Sequence, residues 1–275
     1  MWTRTTYPSA ALTGVILLAA MTFASETSGQ SRWAMPQDGS VLRLEVLKPF
    51  LDGEDRTTFG TTATTISGQA RIGKVLLQAE LPIAHVGIED SDISETDMGN
   101  PYVGILHRFE GGGLVQGGVR FPLAGDGGGT AAGLLADFDH LEAYVPDLWT
   151  ITAGGGYEAK FDGGFRVDGG VGASVLIPTE EGGDTEFTLD YRLRGLFEQG
   201  AVRFGAGLSG RFLATAEEGE GLIGDSKTEH HLGLTLAYLA GSVEPHVHLR
   251  IPIAGDLKDA VNLSLGLGLT MRLGR

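Results

Sequence analysis

From about residue 40 onward, apolar residues recur at every second position of the chain. The last segment, VNLSLGLGLTMRLG at 261–274, puts its large apolar side chains on one face and Asn, Ser, Gly, Thr and Arg on the other. A period of two over this length predicts a β-strand with one apolar and one polar face. The same alternation predicts about twelve strands in all, the others at 41–49, 58–71, 74–87, 100–109, 114–123, 148–159, 165–177, 186–197, 201–212, 229–239 and 243–252.

The segments between these strands alternate in length. Short turns fall at 72–73, 110–113, 161–164, 198–200 and 240–242, and longer linkers fall near 50–57, 88–99, 124–147, 178–185, 213–228 and 253–259. An up-and-down meander has this arrangement when one rim carries tight turns and the other carries loops.

The first residues have the pattern of an export signal. One Arg precedes an uncharged apolar run from Ala10 to Phe23, which is too short to span a bilayer, and small residues follow it. We therefore expect a secretory signal peptide at 1–25, a short periplasmic segment at 26–40 and a β domain at 41–275. No later segment approaches about 20 continuous apolar residues, so no transmembrane helix is expected.

Two architectures fit an exported meander. A soluble sandwich or lipocalin-like barrel buries its apolar face, whereas an outer-membrane barrel turns that face to lipid and lines its lumen with polar residues. The strands are long enough to cross hydrocarbon at a tilt, and an even number of them closes the sheet without an edge. The sequence therefore predicts an all-β fold: a transmembrane antiparallel up-and-down β-barrel of about 12 strands in the cell outer membrane, with short periplasmic turns and longer extracellular loops. Its expected partners are outer-membrane lipid, lipopolysaccharide and the barrel-assembly machinery.

One heptapeptide occurs twice, as RFPLAGD at 120–126 and as RIPIAGD at 250–256. Each copy closes a strand that began after a short turn. Less similar stretches that also contain a proline occur at 47–55, 80–84 and 176–184. Because proline cannot donate to a ladder, we interpret the repeat as the point where strands stop and leave the membrane, and not as a binding site.

Composition excludes several functions. A formal net charge of −15 argues against a nucleic-acid partner, and the absence of Cys excludes disulfides, thiolate metal sites and cysteine nucleophiles. Much of the negative charge lies in the linkers, as in IEDSDISETD at 88–97 and at Glu217, Glu218 and Glu220. These acids fit either solvated loops or divalent-cation bridges to lipopolysaccharide phosphates.

The polar face of the predicted strands is rich in charge. Either a selectivity lining for solutes or a lumen filled by mutually paired charges fits this pattern, and we favour pairing around a narrow passage. The candidate lumen-lining residues are Arg108, Arg120, Arg166, Asp168, Asp190, Arg192, Arg194, Arg203, Arg211, Glu244, His246, His248 and Arg250, with Glu80, Glu158 and Glu186 on the same face.

Histidines share that face near the turn at 240–242. If Tyr238 pairs with Val243, then His231 faces Arg250 and lies diagonally from the Glu244-x-His246-x-His248 stretch. A metal or pH-responsive site is one interpretation of this group. Because alternate residues on one strand are a poor tetrahedral set, we favour polar lining and expect no metal and no cofactor.

Other chemistry is weakly supported. The chain has no His-x-Ser-Asn stretch for an outer-membrane hydrolase, and no helix follows its Gly-rich turns to cradle a phosphate, so we do not expect an enzyme. The linker at 130–149 places Leu134, Leu135, Phe138 and Leu141 at helical spacing before Pro146. We expect a short amphipathic helix at about 131–145 on the long-loop rim, acting as a lid, a constriction or simple rim packing.

One stretch, GNPYVGILHRF at 99–109, is followed by a Gly turn and a strand that closes in Pro-x-x-Gly-Asp. It resembles the outer-membrane transporter barrels named for a putative meta-pathway phenol-degradation protein, with Asn100 at the position of that family's Asp and His107 at that of its Tyr. The resemblance implies a β-barrel that passes small hydrophobic or aromatic molecules. We therefore expect a passive channel with a charged lumen; the alternatives are a structural or adhesion-type barrel with a plugged lumen and, less favoured, a hydrolase.

Overall fold

Twelve strands close into one antiparallel β-barrel, as predicted. The computed structural model describes residues 39–52, 61–87, 94–180, 183–215 and 224–274. Consecutive strands pair with each other except β4 and β5, which both pair with β3, and β1 pairs with β13 to close the sheet. The strands are β1 (Ser40–Leu51), β2 (Thr62–Ile72), β3 (Val75–Gly87), β4 (Ser94–Met98), β5 (Tyr102–Arg108), β6 (Gly113–Arg120), β7 (Leu148–Lys160), β8 (Phe165–Pro178), β9 (Glu186–Gln199), β10 (Val202–Leu213), β11 (Thr228–Tyr238), β12 (Val243–Ala254) and β13 (Val261–Leu273).

Strands β4 and β5 together occupy one strand position of the barrel, so the thirteen strands make a twelve-stranded barrel. Both pair with β3, β4 along Ile83–Gly87 and β5 along Val75–Glu80, and the interruption lies at 99–101. Strand β4 was not predicted, because residues 94–98 fell within the linker expected at 88–99. Its sequence, SETDM, lacks the apolar alternation on which the strand predictions rested.

Large apolar side chains cover the outside of the barrel, and aromatic residues concentrate near both rims. Near the long-loop rim, Phe50, Phe121 and Trp149 are exposed, and near the short-turn rim Tyr157 and Tyr238 are more than half exposed. An apolar band bounded by two aromatic girdles is the surface that an outer-membrane barrel presents to lipid.

Two details of the predicted strands are wrong. The ladder continues past Pro49, Pro82 and Pro252, so these prolines do not stop their strands. The β11–β12 register also differs by two residues from the prediction, with Ala237 opposite His246. A shift of two keeps every side chain on its predicted face, because the strand period is two.

Between the strands, the described residues form two α-helices and two 3₁₀ segments. Helix α1 spans Gly128–Ala136, and the 3₁₀ segment Phe138–Ala143 follows it. The short 3₁₀ turn Asp162–Gly164 joins β7 to β8, and helix α2 is the short Leu257–Ala260. Within the described ranges, no helix is long and apolar enough to cross a membrane. The predicted signal peptide and periplasmic segment up to residue 38 lie outside the described residues, as do 88–93 and the acidic run at 217–220.

Candidate functional site

The connection between β6 and β7 folds into the barrel. We call residues 128–145, which comprise α1 and the 3₁₀ segment, the inner segment. Its side chains at Ala132, Ala136, Phe138 and Tyr144 are at most 5% exposed. The expectation of a single helix at 131–145 on the rim is therefore wrong, because α1 ends at Ala136 and the segment lies against the inner wall.

Small residues allow α1 to lie close to the wall. A Cβ added at Gly129 would come within 2.9 Å of the Ala84 carbonyl oxygen, and one at Gly133 would overlap the Tyr144 ring. Leu47, Ala63 and Ala84 of the wall form an apolar cluster with Ala136, Ala143 and Tyr144. Packing of small residues thus sets the distance between the helix and strands β1 to β3.

Two carboxylates of β4 bind the amino end of α1. The Gly128 amide donates to Glu95 Oε2 at 2.8 Å, and the Thr130 amide donates to Asp97 Oδ2 at 3.2 Å. Free amides and the helix dipole both favour negative charge at this position. These two acids of the 88–97 stretch therefore cap a helix, a role that neither sequence interpretation assigned to them.

The arginines of the repeated heptapeptide both bind the inner segment. Arg250 lies 2.5 Å from Asp137 Oδ1 and 2.6 Å from Glu45 Oε1, and it is fully buried. Arg120 lies 2.5 Å from Glu80 and 3.9 Å from Glu142. The repeat therefore marks equivalent strand positions whose arginines point inward, and the interpretation as a strand exit alone missed this role.

Two more strands hold the segment from the other side. Arg211 of β10 lies 2.8 Å from Glu142 Oε2 and 2.7 Å from Asp190 Oδ1. His231 of β11 lies 3.1 Å from Asp139 Oδ1, to which the Ser209 hydroxyl also donates at 3.3 Å. The inner segment thus spans the lumen from β1–β4 to β10–β12.

Asn100 joins the two ends of the connection. Its side-chain amide donates to the carbonyl oxygens of Glu142 at 2.9 Å and Val145 at 2.7 Å. Its side-chain oxygen accepts from the amides of Leu123 and Ala124, each at 2.8 Å. A side-chain amide has two donors and two lone pairs, so this fully buried residue uses all four.

Two acids of the inner segment, Asp137 and Glu142, are held ionised. Burial alone would raise the pKa of Asp137, but His140 and Arg250 lower it below the ordinary value. Burial likewise opposes ionisation of Glu142, yet Arg211 and Arg120 lower its pKa. Burial would lower the pKa of His140, but Asp137 at 3.1 Å, with Glu80 and Glu142, raises it.

Between the inner segment and the short-turn rim, the wall carries paired charges. Asp168 accepts from Arg192 and Arg194 at 3.1 Å. Arg203 lies 2.7 Å from Glu244 and 3.0 Å from Glu198. Each of these basic side chains is nearly inaccessible, so the inner face is dense with ion pairs at this level.

The rim itself is more open. Arg108 and Arg166 contact Glu158 at 3.7 and 3.6 Å, with side chains 18% and 30% exposed. A cavity of about 460 Å³ opens beside them, lined in part by Tyr157 and Lys160. Charged residues thus become accessible toward the short-turn rim.

The structure places the candidate residues in three groups. The first group lies at or beside the inner segment and comprises Arg120, Asp190, Arg211 and Arg250. The second lies between the inner segment and the short-turn rim and comprises Asp168, Arg192, Arg194, Arg203, Glu244, His246 and His248. The third lies at the short-turn rim and comprises Arg108 and Arg166. Sequence reasoning missed Glu45, Asn100, Asp137, Asp139, His140 and Glu142. Four of the missed residues come from the linker, and only their charge in a segment of otherwise apolar and small residues could have drawn attention to them.

A second cavity, of about 700 Å³, lies against β9 to β13. Outward apolar residues such as Phe197, Phe204 and Leu234 dominate its lining. It belongs to the lipid-facing side of the barrel rather than to the charged interior.

Comparison with solved structures supports the same architecture. An outer-membrane channel from Pseudomonas putida F1 has a TM-score of 0.61 and 11% identity, covering 90% of this chain and 100% of that one. LpxR from Salmonella typhimurium has a TM-score of 0.53 and 9% identity over 85% of this chain and 100% of that one. The NanC porin has a TM-score of 0.51 and 8% identity over 84% of this chain and 100% of that one.

At these identities the comparisons show the fold. The chain is an outer-membrane-type β-barrel. No family model matches the sequence, and no curated protein matches it. The likeness to the phenol-degradation barrels therefore rests on the motif at 99–109 alone.

Proposed function

We propose that this protein is an outer-membrane channel for small molecules whose passage is closed, in the conformation described here, by the inner segment. The observation that carries this proposal is the polar attachment of the segment. Asp137, Asp139 and Glu142 meet the wall through Arg250, His231 and Arg211. Apolar packing adds to these contacts on two sides, against β1 to β3 and against Leu257 and Val261.

The chemistry of the wall favours conduction over a purely structural barrel. Buried ion pairs stabilise a fold no better than apolar residues of similar volume, and often less well. A barrel needing only stability has no reason to fill its interior with pairs such as Asp168–Arg194 and Arg203–Glu244. Ion pairs lining a route, by contrast, can exchange partners with water or with a charged solute.

The solute class follows from the lining and from the motif resemblance. Moving the inner segment out of the lumen would take one carboxylate partner each from Arg120, Arg211 and Arg250, which favours small anions over cations. The resemblance suggests aromatic compounds. Benzoate combines both features, whereas phenol is neutral and tests the aromatic feature alone. We therefore propose that small aromatic carboxylates pass better than neutral aromatics.

Conductance in planar bilayers tests this function. The full-length protein should show small channels whose open probability rises when residues 128–145 are replaced by a short Gly-Ser linker. A matched control replaces Glu110 and Asp162, acids of two short turns at the opposite rim, by Gln and Asn. Liposome flux of benzoate and phenol then tests the solute.

The result against the proposal is specific. A barrel that remains folded, judged by its shifted mobility on unheated gels, yet shows neither conductance nor flux with and without the inner segment, is a structural barrel. A reversal potential that favours cations would contradict the proposed charge preference while leaving the channel itself in place.

A further inference from the structure

Between the inner segment and the short-turn rim, two histidines and a glutamate converge on one point of the inner wall. Candidate ligand atoms of Glu45, His246 and His248 all lie within 4.8 Å of one another, and all three residues are buried. His246 Nε2 lies 3.7 Å from Glu45 Oε2, and His248 Nε2 lies 3.7 Å from Glu45 Oε1. We propose that these three residues bind a divalent transition-metal ion of the zinc class.

Strand register creates the convergence. His246 and Glu45 both lie opposite Gly268 of β13, one on each side, and His248 lies opposite Gly266. Since neither glycine has a side chain, the two imidazoles lie over β13 and approach β1. A Cβ at Gly266 or Gly268 would overlap the ring of His248 or His246, so the glycines provide the room that the rings occupy.

The donor atoms have no other use among the described residues. Glu45 Oε2, His246 Nε2 and both ring nitrogens of His248 are buried without a hydrogen-bond partner there. A buried polar atom left unpaired is destabilising, so such atoms in native structures commonly face an ion or ordered water. Each of the three residues offers one ligand atom to the same point, which indicates a ligand.

The orientation of the donors also suits a metal. His246 Nδ1 lies 3.4 Å from the Glu244 carbonyl oxygen, an acceptor that favours the proton on Nδ1 and leaves the lone pair on Nε2. Arg250 contacts Glu45 through Oε1, and its charge is shared with Asp137 and Asp139. Oε2 therefore remains available on the side away from the guanidinium.

The chemistry of the set selects the metal class. Two imidazoles and one carboxylate suit zinc and its neighbours, whereas calcium and magnesium prefer oxygen ligands alone. Tetrahedral zinc with bonds of about 2.1 Å separates its ligand atoms by roughly 3.4 Å. The three ligand atoms lie up to 4.8 Å apart, so they would have to approach one another by at most about 1.4 Å. Three protein ligands would leave a coordination position for water or a small anion.

The set predicted from the sequence differs, with Glu244 and His231 beside the two histidines. In the structure Glu244 pairs with Arg203 and Arg272, and His231 pairs with Asp139. Glu45 replaces them from a strand about 200 residues earlier in the chain. The proposed site does not depend on conduction and would stand if the barrel carried no solute.

Zinc titration of the full-length, untagged protein tests the site. After chelator treatment and dialysis, isothermal titration should show one zinc ion bound per chain. His246→Ala and His248→Ala should each weaken binding at least tenfold. The matched control is His107→Ala, which removes a histidine from the outside of β5 and should leave the affinity unchanged.

A second measurement needs no variant. Because His246 and His248 are buried, their diethylpyrocarbonate modification, mapped by mass spectrometry, should be slow without zinc and slower still with it. Zinc should not change the modification rate of His107. Absence of zinc binding by the parent protein would overturn the proposal and leave hydration as the partner of these atoms. Parent-like affinity in either His→Ala variant, or equal protection of all three histidines, would also overturn it.

Discussion

Replacing Asn100 by Asp should release the inner segment. The substitution keeps the shape of the side chain and retains an acceptor for the amides of Leu123 and Ala124. It removes both donors to the Glu142 and Val145 carbonyl oxygens and brings a carboxylate toward them instead. The change therefore acts on the two side-chain contacts between Asn100 and the carboxyl end of the segment, and it leaves the bond from the Asn100 backbone amide to the Ala143 carbonyl oxygen in place.

The magnitude follows from those two contacts. A buried acceptor left without its donor costs about 1–3 kcal/mol, so losing two disfavours the closed arrangement by roughly 2–6 kcal/mol. At about 1.4 kcal/mol per factor of ten, the lower end shifts the ratio of open to closed forms by roughly 30-fold. Repulsion between the carboxylate and the carbonyl oxygens adds to this shift.

Cysteine labelling measures the shift directly, because the chain contains no Cys. Ala136→Cys places one thiol at a fully buried position of the inner segment. If opening equilibrates quickly, its labelling rate by a small maleimide should rise roughly 30-fold or more when Asn100→Asp is added. Bilayer recordings should show a parallel rise in open probability.

The control is Asn262→Asp, the same chemical change at an exposed position of β13. It should alter neither the labelling rate nor the conductance. An unchanged labelling rate in the Asn100→Asp protein, with the barrel folded on unheated gels, would refute the inference that the hydrogen bonds of Asn100 stabilise the closed position of the inner segment.

Three further expectations concern the interior. Arg250→Met should lower the free energy of unfolding in urea by about 3–5 kcal/mol, because it leaves the buried carboxylates of Glu45 and Asp137 without their cation. A change below about 0.5 kcal/mol would refute the pairing. Gly118→Ala should destabilise by about 1–3 kcal/mol, since its Cβ would overlap the Tyr102 ring, whereas Gly111→Ala meets open space and should be neutral. Carboxylate neighbours raise the pKa of His140, so the stabilisation that protonated His140 gives the inner segment is present below about pH 6.5 and is lost as pH rises through the folded pKa. Labelling of the thiol in the Ala136→Cys protein should therefore accelerate as pH rises. Adding His140→Gln should abolish that pH dependence.

Much of the barrel could be predicted from the sequence, because a strand's two faces are recorded locally. The alternation in 261–274 or 201–212 gives the inward and outward faces without knowledge of any partner. Even the error of two residues in the β11–β12 register left His246 and His248 on the inner face. Among the strands within the described ranges, only β4, which lacks an apolar face, could not be recognised in this way.

The sequence alone determined that this chain forms a barrel and which of its strand residues point inward; the tertiary structure decided what those residues contact. Arg250 meets Asp137 from 113 positions away and Glu45 from 205 positions away. Such contacts depend on closure of the sheet and on the inward path of residues 128–145, neither of which is encoded in any local period. The heptapeptide repeat was visible from the start, but only barrel closure turned its two arginines toward a common segment.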